Sequence, residues 1–445
     1  MRPQPRRHQS ESTQDRSRPC GLPHDRRSSH VARMLWLGLF CTSLVCADDL
    51  PALPRAELWT TTGERISGTL LSLADQQLNL QVAEQVRPIP FDSVWQIAFM
   101  PLTSRPLRPR FWLHLTNGDR VGVTSVALNE EEVEFQIPAV EDSRKLGVEF
   151  ITGIQPLRPG TSWRTDESDW AQVNGLSEKT DLVALRNGDL QTGELSELSS
   201  QSLQLSETLG RQDLAWDAVT ALRMNPQLAE IPLWPKTGWL VLLADESWLT
   251  ATAIEVEGDH RLKLMTIHNI EVRLPLEMIR GITHWGAGAA PLSRILPATQ
   301  THVPLLGPLL EITRDRNVRG LPMRSPPTFG TESDSAGGMP VLCPQGWGLT
   351  SGMTVRWNLN GKYLRFQCGF GLDATACADG DATVAIRVDD RPQKEISLRA
   401  GKPVHRETSI DLTGAQTLTI ETGYGQQADV CDWIDLYVPI LVPAP

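Results

Sequence analysis

The sequence predicts an all-β chain: tandem small β-barrel repeats followed by a C-terminal β-sandwich. Two observations carry this reading. One hairpin grammar recurs four times between residues 56 and 285, and short alternating strands separated by Gly, Asn and Asp turns fill residues 309–442 without a helical period.

Each repeat opens on an alternating strand that ends in an acidic turn, at residues 58–64, 111–119, 182–189 and 239–246. Asn-Gly and Gly-Asp tolerate positive φ and so make tight hairpins. Two more alternating stretches follow, such as 66–73 and 78–82 in the first repeat. Every unit then closes on an apolar triplet spaced by three: Phe91, Val94, Ile97; Val148, Ile151, Ile154; Trp216, Val219, Leu222; and Leu276, Ile279, Ile282. A short helical turn followed by a last strand turns all three side chains inward. The units 56–100, 110–156, 180–225 and 236–285 are therefore five-strand meanders, and closing each into a barrel would remove its exposed edges. In strand count and in the Gly-Asp hairpin they resemble SH3-like or Sm-like small barrels. Trp59, Trp112 and Trp239, in three of the first strands, are expected either to pack inward or to line a partner groove.

Pro-rich or aperiodic stretches at 101–110, 157–179 and 225–236 read as linkers. They suggest that the first repeat stacks on the second and the third on the fourth. The Gly-, Ala- and Pro-rich residues 286–308 read as the link to the sandwich.

At the other end of the chain, residues 34–47 form an apolar run too short to span a bilayer, after an Arg-rich segment 1–33. With small residues at Val45 and Ala47, this is the form of a signal peptide cleaved after Ala47, and Met34 is an alternative start. Export to the cell surface, the periplasm or the medium is the expectation. Residues 1–47 carry eight Arg against Glu11, Asp15 and Asp25, so removing their +5 takes the net charge from −11 to −16. So acidic a chain is a poor partner for nucleic acid or anionic lipid.

Cys343, Cys368, Cys377 and Cys431 all lie in the C-terminal module, and in an oxidising compartment four cysteines argue for two disulfides. Three pairings are open. Cys377 with Cys431, beside two acidic loops, and Cys343 with Cys368 is the pairing preferred here.

The C-terminal module carries an ordered series of signposts: Gly346-x-Gly348-Leu349, the hairpin 359–366, Gly371-Leu372-Asp373, the strand and turn Val384 to Asp390, Ile410 to Leu418, and Asp429-x-x-Asp432-Trp433-x-Asp435. In this order and spacing they resemble the NPCBM/NEW2 family, the novel putative carbohydrate-binding module. The resemblance covers residues 309–442 and implies a galactose-binding-like jelly roll that takes a glycan or polysaccharide. Thr350-Ser351-Gly352 stands where that family commonly has a His.

Two residue clusters are the candidate site. Carbohydrate recognition needs a flat apolar ring against the sugar and polar groups at its edge. Trp347 and Tyr424, in Gly-rich sequence, are the expected rings, and Asp373 and Asp432 the polar partners. Asp373, Asp379, Asp381 and Asp429 are hard oxygen donors in loops, which suits a structural Ca²⁺. The plainer alternative makes them turn formers and backbone acceptors, with Asp435 alternating outward on the last strand. His114 is expected to be a satisfied interior or edge residue.

The sequence offers little for catalysis. The nine histidines are scattered, with no His-Glu-x-x-His, no Cys/His metal spacing, no phosphate loop and no Gly-x-Ser-x-Gly elbow. The expectation is a non-catalytic carbohydrate-binding protein. The alternative is an envelope adaptor that binds protein partners through its repeats.

Overall fold

The computed structural model describes residues 54–444 except 75, 100–107, 161–162, 208–209, 259, 326–340 and 403–404. The expected signal segment 34–47 lies outside the described residues. No helix among them is long and apolar enough to cross a membrane.

The first repeat runs through strands Arg55–Thr60, Arg65–Ala74, Gln77–Val82 and Gln85–Pro90, a single 3-10 turn Phe91–Ser93, and a last strand Val94–Phe99. The other three end in the same way, with turns Val148–Phe150, Trp216–Ala218 and Leu276–Met278 before last strands Ile151–Pro156, Val219–Arg223 and Ile279–Trp285. The first triplet residue opens each turn and the other two lie on the strand. Eleven of the twelve are buried, and Val148 packs partly buried against the same core.

The hairpins share one backbone. Gly63, Gly118 and Gly188 have φ of 89°, 92° and 91°, and each amide donates to the carbonyl three residues earlier. In the fourth repeat that position is not glycine. Glu246 occupies it at φ 71° and makes the same bond, to the Leu243 carbonyl.

The expected closed barrel is corrected. In the first repeat the opening strand pairs with the second and the last strands, yet Gln85–Pro90 and Val94–Phe99 share no ladder. The outer edge of each last strand is covered by the last strand of another repeat, with Ile97 opposite Ile282 and Ile154 opposite Leu222. The expected stacking of repeats is also wrong. The first repeat pairs with the fourth and the second with the third. An unpaired edge needs a partner, and the third residue of each triplet sits on the edge that finds one. A single hydrophobic core runs through all four units.

The segment 157–179 is not structureless, for it holds the helix Trp163–Asn174. Trp170 and Val173 pack on Leu182, Ala184 and Ala221, and the His114 ring stacks on Trp170 at 3.8 Å. Burial holds the His114 imidazole well below its usual range, so it is neutral. The helical period is hidden in the sequence because polar Asp166 and Glu167 are themselves buried. The first-strand tryptophans pack and do not line a groove. Trp239 meets Phe91 of the first repeat edge-on at 4.7 Å, and Trp112 lies under the Arg120 guanidinium at 3.8 Å. Trp59 packs with Trp95 against Val438 and Ile440 of the sandwich.

The sandwich has two antiparallel sheets. One orders Thr313–Arg314, Gly346–Thr350, Trp433–Pro443, Tyr363–Leu372 and His405–Asp411; the other orders Thr299–His302, Met353–Asn358, Thr417–Tyr424, Asp381–Val388 and Arg391–Arg399. Strands Ala290–Pro291 and Thr299–His302 join these sheets from the stretch expected to be a linker.

A buried ion network joins the sandwich to the repeats. Arg324 donates to Glu167 of the helix at 2.6 Å and to both carboxylate oxygens of Glu246 at 2.8 Å. Arg120 of the second repeat reaches Glu167 at 3.3 Å and the Glu246 carbonyl at 3.0 Å, between the rings of Trp112 and Trp248. Buried charges persist only when paired in this way.

Candidate functional site

The candidate glycan site lies at one end of the sandwich, where the strand Thr417–Tyr424 runs out into the loop 425–432. The Cys377–Cys431 disulfide forms, with 5.6 Å between Cα atoms, and ties this loop to the loop 373–380. The second expected bridge does not form. Cys343 and Cys368 remain buried thiols in separate clusters. Cys368 alternates with Phe366 and Phe370 on the side facing the other sheet, whereas Cys343 packs with Met323 and Tyr437. Tyr437 points away from Ile434 and Leu436, its core-facing strand neighbours, so the two thiols lie on opposite faces of one sheet.

Of the two expected rings, Trp347 is core. It is 3 % exposed, tilts against Trp357 at 6.2 Å and donates its indole N–H to the Leu292 carbonyl at 3.2 Å. The flanking glycines misled the reading. A Cβ at Gly346 would come within 2.0 Å of the Leu436 carbonyl, and one at Gly348 within 2.4 Å of the Arg316 carbonyl. These glycines mark close backbone approach inside a strand, not an exposed loop. Tyr424 is half-buried at the strand end and donates its hydroxyl to the Val303 carbonyl.

The carboxylates serve the backbone. Asp429 accepts the amides of Leu305, Leu306 and Gly307 at 2.9, 2.8 and 3.0 Å, which lowers its pKa and pins the loop 303–309 beside Tyr424. Asp381 accepts the Gln426 amide at 2.9 Å, and Asp432 accepts the Asp381 amide at 3.0 Å. Asp373 is buried and accepts the amides of Arg324 and Thr375 at 3.0 and 2.8 Å. Asp379 is exposed.

Ca²⁺ takes six to eight oxygen ligands. Among the described residues no three His, Cys, Asp or Glu side chains converge as a metal-holding group. Asp373, Asp379, Asp381 and Asp429 do not fit the ion, because all but Asp379 are committed to separate N–H groups. Asp435 is corrected too. It leaves the sandwich core as alternation predicts but is buried beside Asp373 and Tyr437. Burial, then the neighbouring Asp373 carboxylate, pushes its carboxyl well up. Burial likewise raises Asp432 to about 6.

Of the two expected rings only Tyr424 is not core, and Gln426 and Gln427, two and three residues further along the loop, are exposed. Nearby, the half-buried Trp433 lies under the Arg319 guanidinium at 4.4 Å. The Tyr-Gly-Gln-Gln run carries this signal in the sequence, hidden by the more conspicuous aspartates beside it.

No curated protein matches the chain. Among solved structures, a CBM51 module from Clostridium perfringens GH95 in complex with methyl-galactose is 15 % identical; the match covers 35 % of this chain and 99 % of that one, with a TM-score of 0.30. The tandem CBM51 modules of the family 98 glycoside hydrolase Sp3GH98 from Streptococcus pneumoniae SP3-BS71 are 10 % identical over 61 % of this chain and 91 % of theirs, also with a TM-score of 0.30. At the level of families, the sandwich carries the identification: residues 309–439 match the NPCBM/NEW2 domain.

Proposed function

We propose that this is an exported, non-catalytic carbohydrate-binding protein that holds its glycan at the loop end of the sandwich. The single observation behind it is the NPCBM/NEW2 match over residues 309–439. A half-buried ring followed two and three residues on by exposed amides supports the location, because a sugar face can stack on such a ring while its hydroxyls meet amides. One ring and a few hydrogen bonds give weak monovalent affinity, which a multivalent glycan raises.

A glycan array probed with the oxidised full chain tests this. Reproducible binding to a glycan class, weakened about ten-fold by Tyr424→Ala with unchanged melting, is the expected result. Silence across neutral and acidic glycans, or binding indifferent to Tyr424, would remove the proposal. A second reading, a protein adaptor, is favoured by one feature. Leu228, Ile231 and Leu233 stand exposed together on the stretch 225–236. Co-purification of one partner that is lost on changing these three to Ser would favour it.

A further inference from the structure

A recess of about 200 Å³ opens between the second and fourth repeats and the sandwich, far smaller than the pockets that take drug-sized ligands. It has room for a single ring. Arg294, Arg314 and Arg316 bring positive charge to it, and Asp119 and Asp315 bring carboxylates. Gln345 lines it, is 2 % exposed, and neither end of its side-chain amide has a hydrogen-bond partner. The Asn117 side-chain N–H₂, also in the lining, is likewise unpartnered. Buried amides that bond to nothing are costly, and a ligand that pairs with them explains their presence.

The walls are fixed before any ligand arrives. Arg294 is held by Asp315 at 2.9 Å and lies over the Trp234 ring at 3.6 Å. Asp315 accepts the Gly346 amide at 3.0 Å, and Asp119 accepts the amide and hydroxyl of Thr250 at 2.6 and 2.8 Å. Three guanidiniums ask for an anion. Two carboxylates on the same walls disfavour a dianion such as phosphate and ask for hydroxyl donors. The amide of Gln345 offers one donor group and one acceptor, which suits a hydroxyl as well as a carboxylate.

We infer that this recess binds a carboxylate-bearing, polyhydroxylated ring, a hexuronate, either as the free acid or as a residue of an acidic glycan. The site requires both the repeats and the sandwich, and it is separate from the loop end around Tyr424. It rests on the carbohydrate-binding reading only for the class of ligand.

The test is titration of the full chain by calorimetry with galacturonate, glucuronate, an oligogalacturonide, galactose and acetate. Saturable binding of a uronate, with galactose and acetate at least ten-fold weaker, is expected. An oligogalacturonide that binds better than the monomer identifies the polymer as the source, and the reverse identifies the free acid. Gln345→Leu and Arg314→Ala should each weaken uronate binding about ten-fold; Arg314 is exposed, so its variant folds even if the first does not. Equal responses to uronate and acetate, no response to any uronate, or binding untouched by both variants overturns the inference. Neutral glycans that still bind in a Tyr424-dependent way would leave the loop-end site standing.

Discussion

The hairpin of the third repeat, 186–189, lies in solvent, and the Asp189 carboxylate accepts the Asn187 side-chain N–H within its own turn. The hairpin of the fourth, 243–247, has the same backbone bond but carries Glu246 where the third has Gly188, and its side chain grips Arg324 of the sandwich. One turn is local chemistry and the other is a clasp between two parts of the fold. A non-glycine residue at positive φ is costly by itself, and the pairing with a buried guanidinium compensates that cost. The comparison teaches that a repeat can be recruited to a new contact by one substitution at its tightest point, with no change of backbone.

The sharpest break of this comparison is Arg324→Ala. It leaves Glu167 and Glu246 with only the longer contacts to Arg120, at 3.3 and 3.9 Å, and should cost about 3 kcal/mol, read as a shift in urea midpoint. Asp189→Ala in the exposed hairpin should stay within about 0.5 kcal/mol in the same assay. Glu246→Gly should fall between these two. Backbone relief of about 1 kcal/mol offsets part of the lost pairing, leaving a net loss of about 1–3 kcal/mol. An Arg324→Ala, Glu246→Gly double variant should then be clearly less damaged than the sum of the two, and strict additivity would disprove the clasp.

The smallest effect is one of pH. Asp432 sits at about 6 in the fold, above the usual carboxylate value of about 4. Between those values the folded chain holds a proton that the unfolded chain has lost, so this group's contribution falls as pH rises from about 4 to about 6. Asp432→Asn should narrow the melting-temperature difference between those two pH values. An unchanged difference would show that this carboxyl is ordinary. Asp119, raised to about 6 mainly by burial, has the same sign in the repeats, so some of this pH dependence persists in that variant.

Much of this was legible in the sequence. The hairpin turns, the triplets and the two-sheet C-terminal module follow from Gly-Asp chemistry and period two, which are local signals. The pairing of repeats was not legible, because Ile97, Ile154, Leu222 and Ile282 are alike and nothing in them says which edge meets which. The helix at 163–174 was missed because its buried face includes Asp166 and Glu167, which look like solvent residues until Arg324 is known to lie against Glu167. The site was half legible. The Cys377–Cys431 bond was in view, and Tyr424 is not core, whereas Trp347 was misplaced by glycines that serve a close strand contact. The recess at Gln345 is assembled from five separate stretches of the chain and has no local signature at all.

The pairing of last strands, first repeat with fourth around second with third, has the grammar of nested parentheses. A chain that emerges from its amino end can close the inner bracket as soon as the third repeat is made, but the outer bracket must wait for the fourth. Closure of the longer loop is also entropically dearer and slower. Until then the edge of Val94–Phe99 stands open, and a second copy of the chain could answer it in place of Ile279–Trp285. Exchange of the fourth repeat between copies is thus the misassembly to which this architecture is most exposed.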